Sequence, residues 1–429
     1  MDGTIQSKVW QGARLMVKIG FIATQLLLLL IPAYYIRQLV LERQSLQAAA
    51  VEEITGHWAG QQQLTGPLLQ IPYIDNADGR SSQKILSVLP DSLSIDGNMQ
   101  PRERHRGIYE VMLFETAAKM EARFSPLAVD ELGLDAMQVL WAEARLVFKV
   151  ADPRGLADYH NLLWNGEPLK KGRNGSTVAF ENGEFRIPVT VEPGLTQQFN
   201  GEFDMRGSGK MLFSTVGNTN QIRIRSPWQD PSFQGEQLPK YEIDDKGFTA
   251  DWRVMTHQRL FPQIWKDRSY NLQSASVGVD LFIPVNRYQQ VLRSVKYATL
   301  VMVLTFVAFF LIETLSRQSV HALSYGLVGA ALIIFYSLLL AIAEHLSFAA
   351  SYWIATVATV TLIGWFTSRL LEPKRWSLIM ALSLGLLYAY LFSLLQLEDY
   401  SLLLGSIGLF VALAITMGVA TRLLKGNKA

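Results

Sequence analysis

Residues 19–36 read IGFIATQLLLLLIPAYYI, an uncharged run whose centre is Gln25 followed by Leu26, Leu27, Leu28, Leu29, Leu30, Ile31 and Pro32. As a helix it extends about 27 Å, enough to cross the hydrocarbon core of a bilayer. Lys8, Arg14 and Lys18 precede it, as in the n-region of a signal peptide. The nearest small-residue cleavage pattern, Ala48 to Ala50, lies about a dozen residues too far on, so the run is expected to remain as an anchor. On its inner side Ile5, Val9, Trp10, Ala13 and Met16 form a short amphipathic stretch suited to a membrane surface. On its outer side Ile36, Leu39, Arg43, Leu46, Ala50 and Ile54 recur every three or four residues. That period carries the helix outward to about residue 60 as a stem.

The same kind of run returns at the other end of the chain. Residues 297–312, 325–343, 348–366, 376–395 and 401–420 are five further apolar spans joined by brief connections, so neighbours are expected to be antiparallel. Residues 297–429 contain 12 charged side chains in 133, about 9%, whereas residues 37–296 contain 60 in 260, about 23% and near the soluble average. The 18% of the whole chain is an average of two different materials. With the N-terminus inside, the inner segments hold Lys8, Arg14, Lys18, Arg317, Arg369, Lys374, Arg375, Arg422, Lys425 and Lys428, and the short outer loops hold no Lys or Arg. The positive-inside rule therefore predicts six spans, both termini inside, and one large outer domain between the first two.

That outer domain, residues 61–290, has the marks of β structure. Short runs rich in Val, Ile, Phe and Tyr alternate with polar residues at 68–74, 84–89, 107–115, 118–124, 145–150, 177–180, 185–191, 202–206, 210–216, 221–225, 247–254 and 276–283. Asp96-Gly97, Asn182-Gly183 and Asp245-Lys246-Gly247 read as turns between them. The expected architecture is an antiparallel, sandwich-like β domain with a full core, inserted between the first and second of six transmembrane helices. The remaining segments are a cytoplasmic N-terminus (1–18), a five-helix membrane domain (297–421) and a cytoplasmic tail (422–429).

Composition and motif exclude several classes. A net charge of +2 gives no basic surface for nucleic acid, and zero cysteines exclude a disulfide scaffold and a thiolate metal site. No nucleophile elbow and no zincin motif occurs, and the six histidines have no ligand spacing. Gly207-Ser208-Gly209-Lys210 lacks the spacing of a phosphate loop and reads as a hairpin turn. No cofactor, metal or catalytic residue is assigned, and the chain is not expected to be an enzyme.

The polar residues at the membrane edge are the one tentative site. Glu313 is read either as an interfacial i,i+4 pair with Arg317 or as a carboxylate facing the bundle interior. Glu344 and His345 end the third span and Glu398 and Asp399 end the fifth, both on the outer side, either as a proton relay or metal site or as ordinary acidic outer turns. Small and hydroxyl residues within the spans, Gly326, Gly329, Tyr336, Tyr352, Thr356 and Thr359 among them, read as helix packing. In the outer domain, the basic run Arg102, Arg104, His105 and Arg106 is either a contact for lipid headgroups or an anionic polymer, or a solvated strand entry. The loop Ser226-Pro227-Trp228 with Pro231-Ser232-Phe233 reads as packing on a sheet.

A set of ordered motifs spans nearly the whole chain: Leu28-Leu29-Leu30-Ile31-Pro32, Ile36-Arg37-Gln38, Glu42-Arg43, Gly66-Pro67, Ile71-Pro72, Arg104-His105-Arg106-Gly107-Ile108-Tyr109, and Ser226-Pro227-Trp228. Lys296-Tyr297-Ala298, Leu304-Thr305-Phe306, Glu313-Thr314-Leu315, Phe335-Tyr336, Glu344-His345 and Leu402-Leu403-Leu404-Gly405 continue it. In their order and spacing they resemble the CreD family of bacterial inner-membrane proteins. The resemblance implies a location in the cytoplasmic membrane and a part in envelope integrity, colicin tolerance and the response to β-lactams under a two-component regulator. It brings no catalytic residues. The expected partners are the lipid bilayer and, through the periplasmic domain, envelope proteins, lipids or glycans. A transporter or lipid-handling protein using the bundle carboxylates is the alternative.

Overall fold

The structure is a computed structural model that describes residues 2–75, 81–107, 109–128, 134, 138–169, 179–181, 183–255, 261–281, 287–316, 318–397 and 401–426. The chain divides into two compact units, Met1–Ala48 with Val285–Ala429, and Ala49–Pro284.

The first unit is helical. Helix α1 (Asp2–His57) runs without a break through the amphipathic N-terminal stretch, the apolar run and the stem, so the stretch before the anchor is not a separate element; its last turns belong to the second unit. The others are α2 (Arg287–Lys296), α3 (Ala298–Ser316), α4 (Leu323–Ala343), α5 (Phe348–Leu370), α6 (Arg375–Gln396) and α7 (Ser401–Gly426). Among the described residues five helices are long and apolar enough to cross a membrane: α1, α3, α4, α5 and α6; α7 adds the shorter apolar stretch Leu403–Gly418. The residues of α2 straddle the expected boundary between the outer segment, 61–290, and the membrane segment that begins at 297. They fold as a short amphipathic helix because Tyr288, Val291, Ser294 and Val295 recur on one face, and that face is buried in the bundle. Helix α1 packs on α4 where Gly329 has no side chain, and Leu29 occupies the space beside Phe306.

The second unit is built from strands β1 (Gln62–Asp75), β2 (Ser82–Val88), β3 (Ser92–Arg106), β4 (Tyr109–Phe124), β5 (Arg145–Val150), β6 (Leu156–Trp164), β7 (Glu167–Pro168), β8 (Ala179–Glu181), β9 (Glu184–Pro188), β10 (Gln197–Ser208), β11 (Lys210–Ser214), β12 (Thr219–Ser226), β13 (Ser232–Gly235), β14 (Lys240–Asp244), β15 (Gly247–Met255), β16 (Ile264–Lys266) and β17 (Ser276–Asp280). They form a nine-stranded sheet in the order β13-β17-β11-β1-β5-β9-β8, with β2 on β1 and β16 on β2, and an eight-stranded sheet in the order β14-β15-β12-β3-β4-β10-β6-β7. Phe148 (β5) and Phe185 (β9) stack at 4.7 Å, and Phe148 meets Phe199 and Phe203 of β10 at 5.2 and 5.3 Å. All four are fully buried, so the space between the two sheets is a packed aromatic core.

The sheets are mixed and not purely antiparallel: β1 pairs with β11, and β3 with β12, in parallel. One cause lies at Gly207-Ser208-Gly209-Lys210, which is not a hairpin. Strand β10 ends at Ser208 in one sheet and β11 begins at Lys210 in the other, with Gly209 at φ +66 making the corner. Asp96-Gly97 is likewise no turn. It lies mid-strand in the long β3–β4 hairpin, Gly97 opposite Ala118, with Asp96 accepting from Arg225 of β12 at 2.6 Å. The runs at 107–115 and 118–124 are one strand, because Thr116 and Ala117 stay in register with Met99 and Asn98. Ile108, residues 177–178 and residues 282–283, parts of expected strands, lie outside the described residues.

Candidate functional site

In the helical unit Glu313 is buried near the end of α3. Its Oε1 accepts from the Lys18 ammonium of α1 and from the Val320 backbone N–H at 2.9 Å; its Oε2 accepts from the Tyr325 hydroxyl of α4 at 2.6 Å. Lys18 also donates to the Val320 carbonyl at 2.8 Å, and the Tyr325 ring is boxed by Phe306 and Phe309. A carboxylate in apolar surroundings is tolerated only when paired and hydrogen-bonded, and here both oxygens are. Arg317 lies outside the described residues; the partner seen for Glu313 is Lys18, which no i,i+4 rule finds.

Glu344 caps the other end of α4 and pairs with Arg43 of α1 at 3.5 Å. His345 follows in the turn, exposed, at the point where the helix has ended. Glu398 and Asp399 lie outside the described residues. Glu313 and Glu344 thus sit at opposite ends of α4, about 30 Å apart along its axis. Among the described residues no group of three His, Asp or Glu side chains is placed to hold a metal ion.

Two hydroxyl contacts join α5 to α6: Tyr352 donates to the Tyr388 carbonyl at 2.9 Å, and Thr367 and Ser377 bond at 3.0 Å; the hydroxyls of Thr305, Thr356 and Tyr388 are buried with no hydrogen-bond partner among the described residues. Helices α3, α6 and α7 line an open, almost wholly apolar groove of about 710 Å³.

The β unit holds what sequence reasoning missed. Along β1, β2, β5 and β9, residues Leu69, Leu86, Phe148 and Phe185 face the core, so their alternates Gln70, Ser87, Lys149 and Glu184 face away from the other sheet. The segment 268–273, after β16, covers that face and leaves a cleft of about 430 Å³. Trp265 and Tyr270 make one wall, their rings 5.2 Å apart edge to face. Lys149 and Arg268 have no carboxylate partner among the described residues, whereas Glu184 is paired with Arg186 at 3.0 Å. The residues come from five separate segments, and no local motif joins them. His160 was similarly hidden: the pairing of β6 with β10 sets it 3.6 to 3.9 Å from Asp158, Glu202 and Asp204 on an open sheet face.

Within the basic run Arg102 pairs with Glu115 at 2.8 Å and His105 lies 3.8 Å from Glu110 across the same hairpin, while the Arg106 side chain lies outside the described residues. Trp228 is partly buried against the core and donates to the Asp230 carbonyl at 2.9 Å. At the foot of the unit, Asp152 accepts from the Gly60 N–H at 2.8 Å and from Arg154 at 2.6 Å, while Arg154 reaches the Gly56 carbonyl at the end of α1. The Arg154 hydrogen bond, opposed by burial and helped by the Gly60 N–H, holds the Asp152 carboxyl down at about 2.

The family model for the inner membrane protein CreD matches residues 14–424. The Inner membrane protein CreD of Escherichia coli (strain K12) is 32% identical over 414 residues, covering 92% of this chain and 90% of that protein. Among solved structures, an M1 zinc metallopeptidase from Deinococcus radiodurans aligns at 9% identity with a TM-score of 0.22, covering 45% of this chain and 42% of that one. A mutant of the metallopeptidase aligns with a TM-score of 0.21, covering 39% and 38%. The chain therefore spans well under half the length of those enzymes, and at such scores the likeness carries no argument.

Proposed function

The chain belongs to the CreD family of inner membrane proteins, and from that premise we propose that it supports cell-envelope integrity, and the envelope-stress or β-lactam response, by non-enzymatic binding or scaffolding through its β unit. In this reading the chain crosses the membrane six times, both termini are cytoplasmic and the β unit is periplasmic. The charge distribution supports that topology: the ten Lys and Arg of the inner segments stand against none in the short outer loops.

The observation that carries the binding role is the cleft on the outward face of the nine-stranded sheet. The core between the sheets is filled, but this face offers a concave surface of about 430 Å³ with two unpartnered cations, within the range of natural ligand sites. The transporter reading draws less support, since Glu313 and Glu344 are each ion-paired and sit at opposite ends of α4.

The test is photo-crosslinking in intact cells from exposed positions Leu195, Tyr241 and Ser269. Envelope components captured from Ser269, in the cleft-covering segment, support the role. A survey of all three positions that captures nothing from the envelope removes it.

A further inference from the structure

We propose that the cleft beneath residues 268–273 binds an acidic saccharide, a sugar unit or short glycan segment bearing a carboxylate or phosphate. The inference rests on the binding role above and names the chemistry of its ligand.

Charge comes first. Lys149 on β5 and Arg268 on the covering segment line one cleft; among the described residues its one lining carboxylate is Glu184, which stands opposite Lys149 across β5 and β9 and is paired with Arg186 at 3.0 Å. Two surplus cations in a concavity with protein walls attract an anion more strongly than they would on an open face. The planar guanidinium of Arg268 suits bidentate recognition of a carboxylate or phosphate. Beside them Arg145 of β5 donates to Gln70 at 3.2 Å; burial first and the nearby Arg186 charge second lower its pKa, and the guanidinium remains charged.

The uncharged lining points to a sugar as the body that carries the anion. Gln70 and Ser87 offer amide and hydroxyl groups, and Tyr270, edge to face with Trp265, offers a ring. Donors and acceptors beside a flat apolar wall are complementary to the hydroxylated edge and apolar face of a pyranose.

The backbone of the covering segment is fixed, which sets where Arg268 leaves it. Trp265 donates through Nε1 to the Arg268 carbonyl at 2.8 Å, and the Asp267 N–H donates to the Ile85 carbonyl at 3.0 Å. Asp267 itself holds φ +43, the left-handed region, immediately before Arg268. Such a backbone persists only where the surroundings over-determine it.

Calorimetry on the full chain in detergent tests the assignment with four probes: a disaccharide containing one glucuronate, a neutral disaccharide of the same linkage, inorganic phosphate and an acidic tetrapeptide. The acidic disaccharide is expected to bind at least about tenfold more tightly than the other three, and Lys149→Ala with Arg268→Ala to weaken it at least about tenfold with Tm unchanged. Equal binding of the neutral disaccharide, tighter binding of phosphate or peptide, or indifference to the double substitution overturns it. Loss of saccharide binding with crosslinks from Ser269 intact removes the glycan and leaves the binding role. A survey of Leu195, Tyr241 and Ser269 in the unsubstituted protein that captures nothing from the envelope removes both.

Discussion

Lys18 on the first helix and Glu313 on the third form a part-buried ion pair that bridges 295 positions of sequence, and Tyr325 of the fourth helix closes it. The pair ties α1, α3 and α4 at one end of the bundle. Arg43 and Glu344 make a second pair about 38 Å further along α1, so charged contacts bracket the apolar stretch at both ends. An anchor helix held in this way has its rotation and depth set by partners as well as by lipid.

Removing Lys18 takes the cation from a buried carboxylate that keeps two other hydrogen bonds, and removing Glu313 orphans the Tyr325 hydroxyl and the Val320 N–H. Lys18→Ala or Glu313→Ala should therefore destabilise the protein by about 1–3 kcal/mol, while Lys18→Leu with Glu313→Leu should recover most of that loss. Thermal unfolding of the purified protein in detergent measures all three. A double variant no more stable than the single ones would show that the network, and not the unpaired charge, sets the energy.

Helix α1 depends on Gly329 in a different way. A Cβ there would lie 3.1 Å from Phe306 and closer still to Leu29, so Gly329→Val should overpack the contact and lower stability by about 1–3 kcal/mol. Leu29→Ala in the same chain should return part of it. A cysteine pair placed across α1 and α4 should also crosslink less well in Gly329→Val than in the parent.

At the foot of the β unit the prediction concerns pH. Asp152 is held at about 2 in the folded protein, below its ordinary value of 3.8. A depressed carboxyl contributes stability that is complete above its unfolded value and is lost as pH falls through the folded one. The contribution should thus be constant above about pH 5 and disappear between about pH 4 and 2. Asp152→Asn should lower Tm at pH 7 and flatten the profile across that acid window. Tryptophan fluorescence during thermal unfolding reads it; Trp58, 5.1 Å from the Arg206 guanidinium, is one of the chain's ten reporters.

What the sequence made readable follows from period and range. A long apolar run such as 19–36 declares a helix because the bilayer imposes one local rule on every residue in it. The alternation of β12, whose residues are exposed and buried in strict turn, declares a strand in the same local way. Strand β14, Lys240-Tyr-Glu-Ile-Asp, alternates too, but it is five residues long and exposed throughout at the sheet edge, so only its pairing with β15 makes it a strand. Glycine misled twice. Gly97 sits in mid-strand and Gly209 turns the chain between sheets, and both outcomes depend on what lies opposite them in space. The cleft and the Lys18–Glu313 pair were hidden for the same reason, since their members meet only after segments far apart in the chain have packed. The tentative edge site was legible as a set of polar residues but not as a geometry: α4 separates Glu313 from Glu344 by its full length.

The absence of cysteine from the chain makes the proposed topology directly measurable, because any single cysteine introduced is the only reactive thiol. Leu195 is 56% exposed in the β unit, His345 is exposed in the turn between α4 and α5, and Ser319 is exposed in the connection between α3 and α4. With six spans and both termini cytoplasmic, Leu195→Cys and His345→Cys should react with a membrane-impermeant maleimide added to spheroplasts. Ser319→Cys should react only after the membrane is opened. The decisive comparison is between His345→Cys and Ser319→Cys, because α4 alone separates them and a helix that spans must put its ends on opposite sides. Equal labelling of the two in sealed spheroplasts would mean that α4 does not cross, and the span count, the orientation and the outer placement of Glu344 would all have to be redrawn.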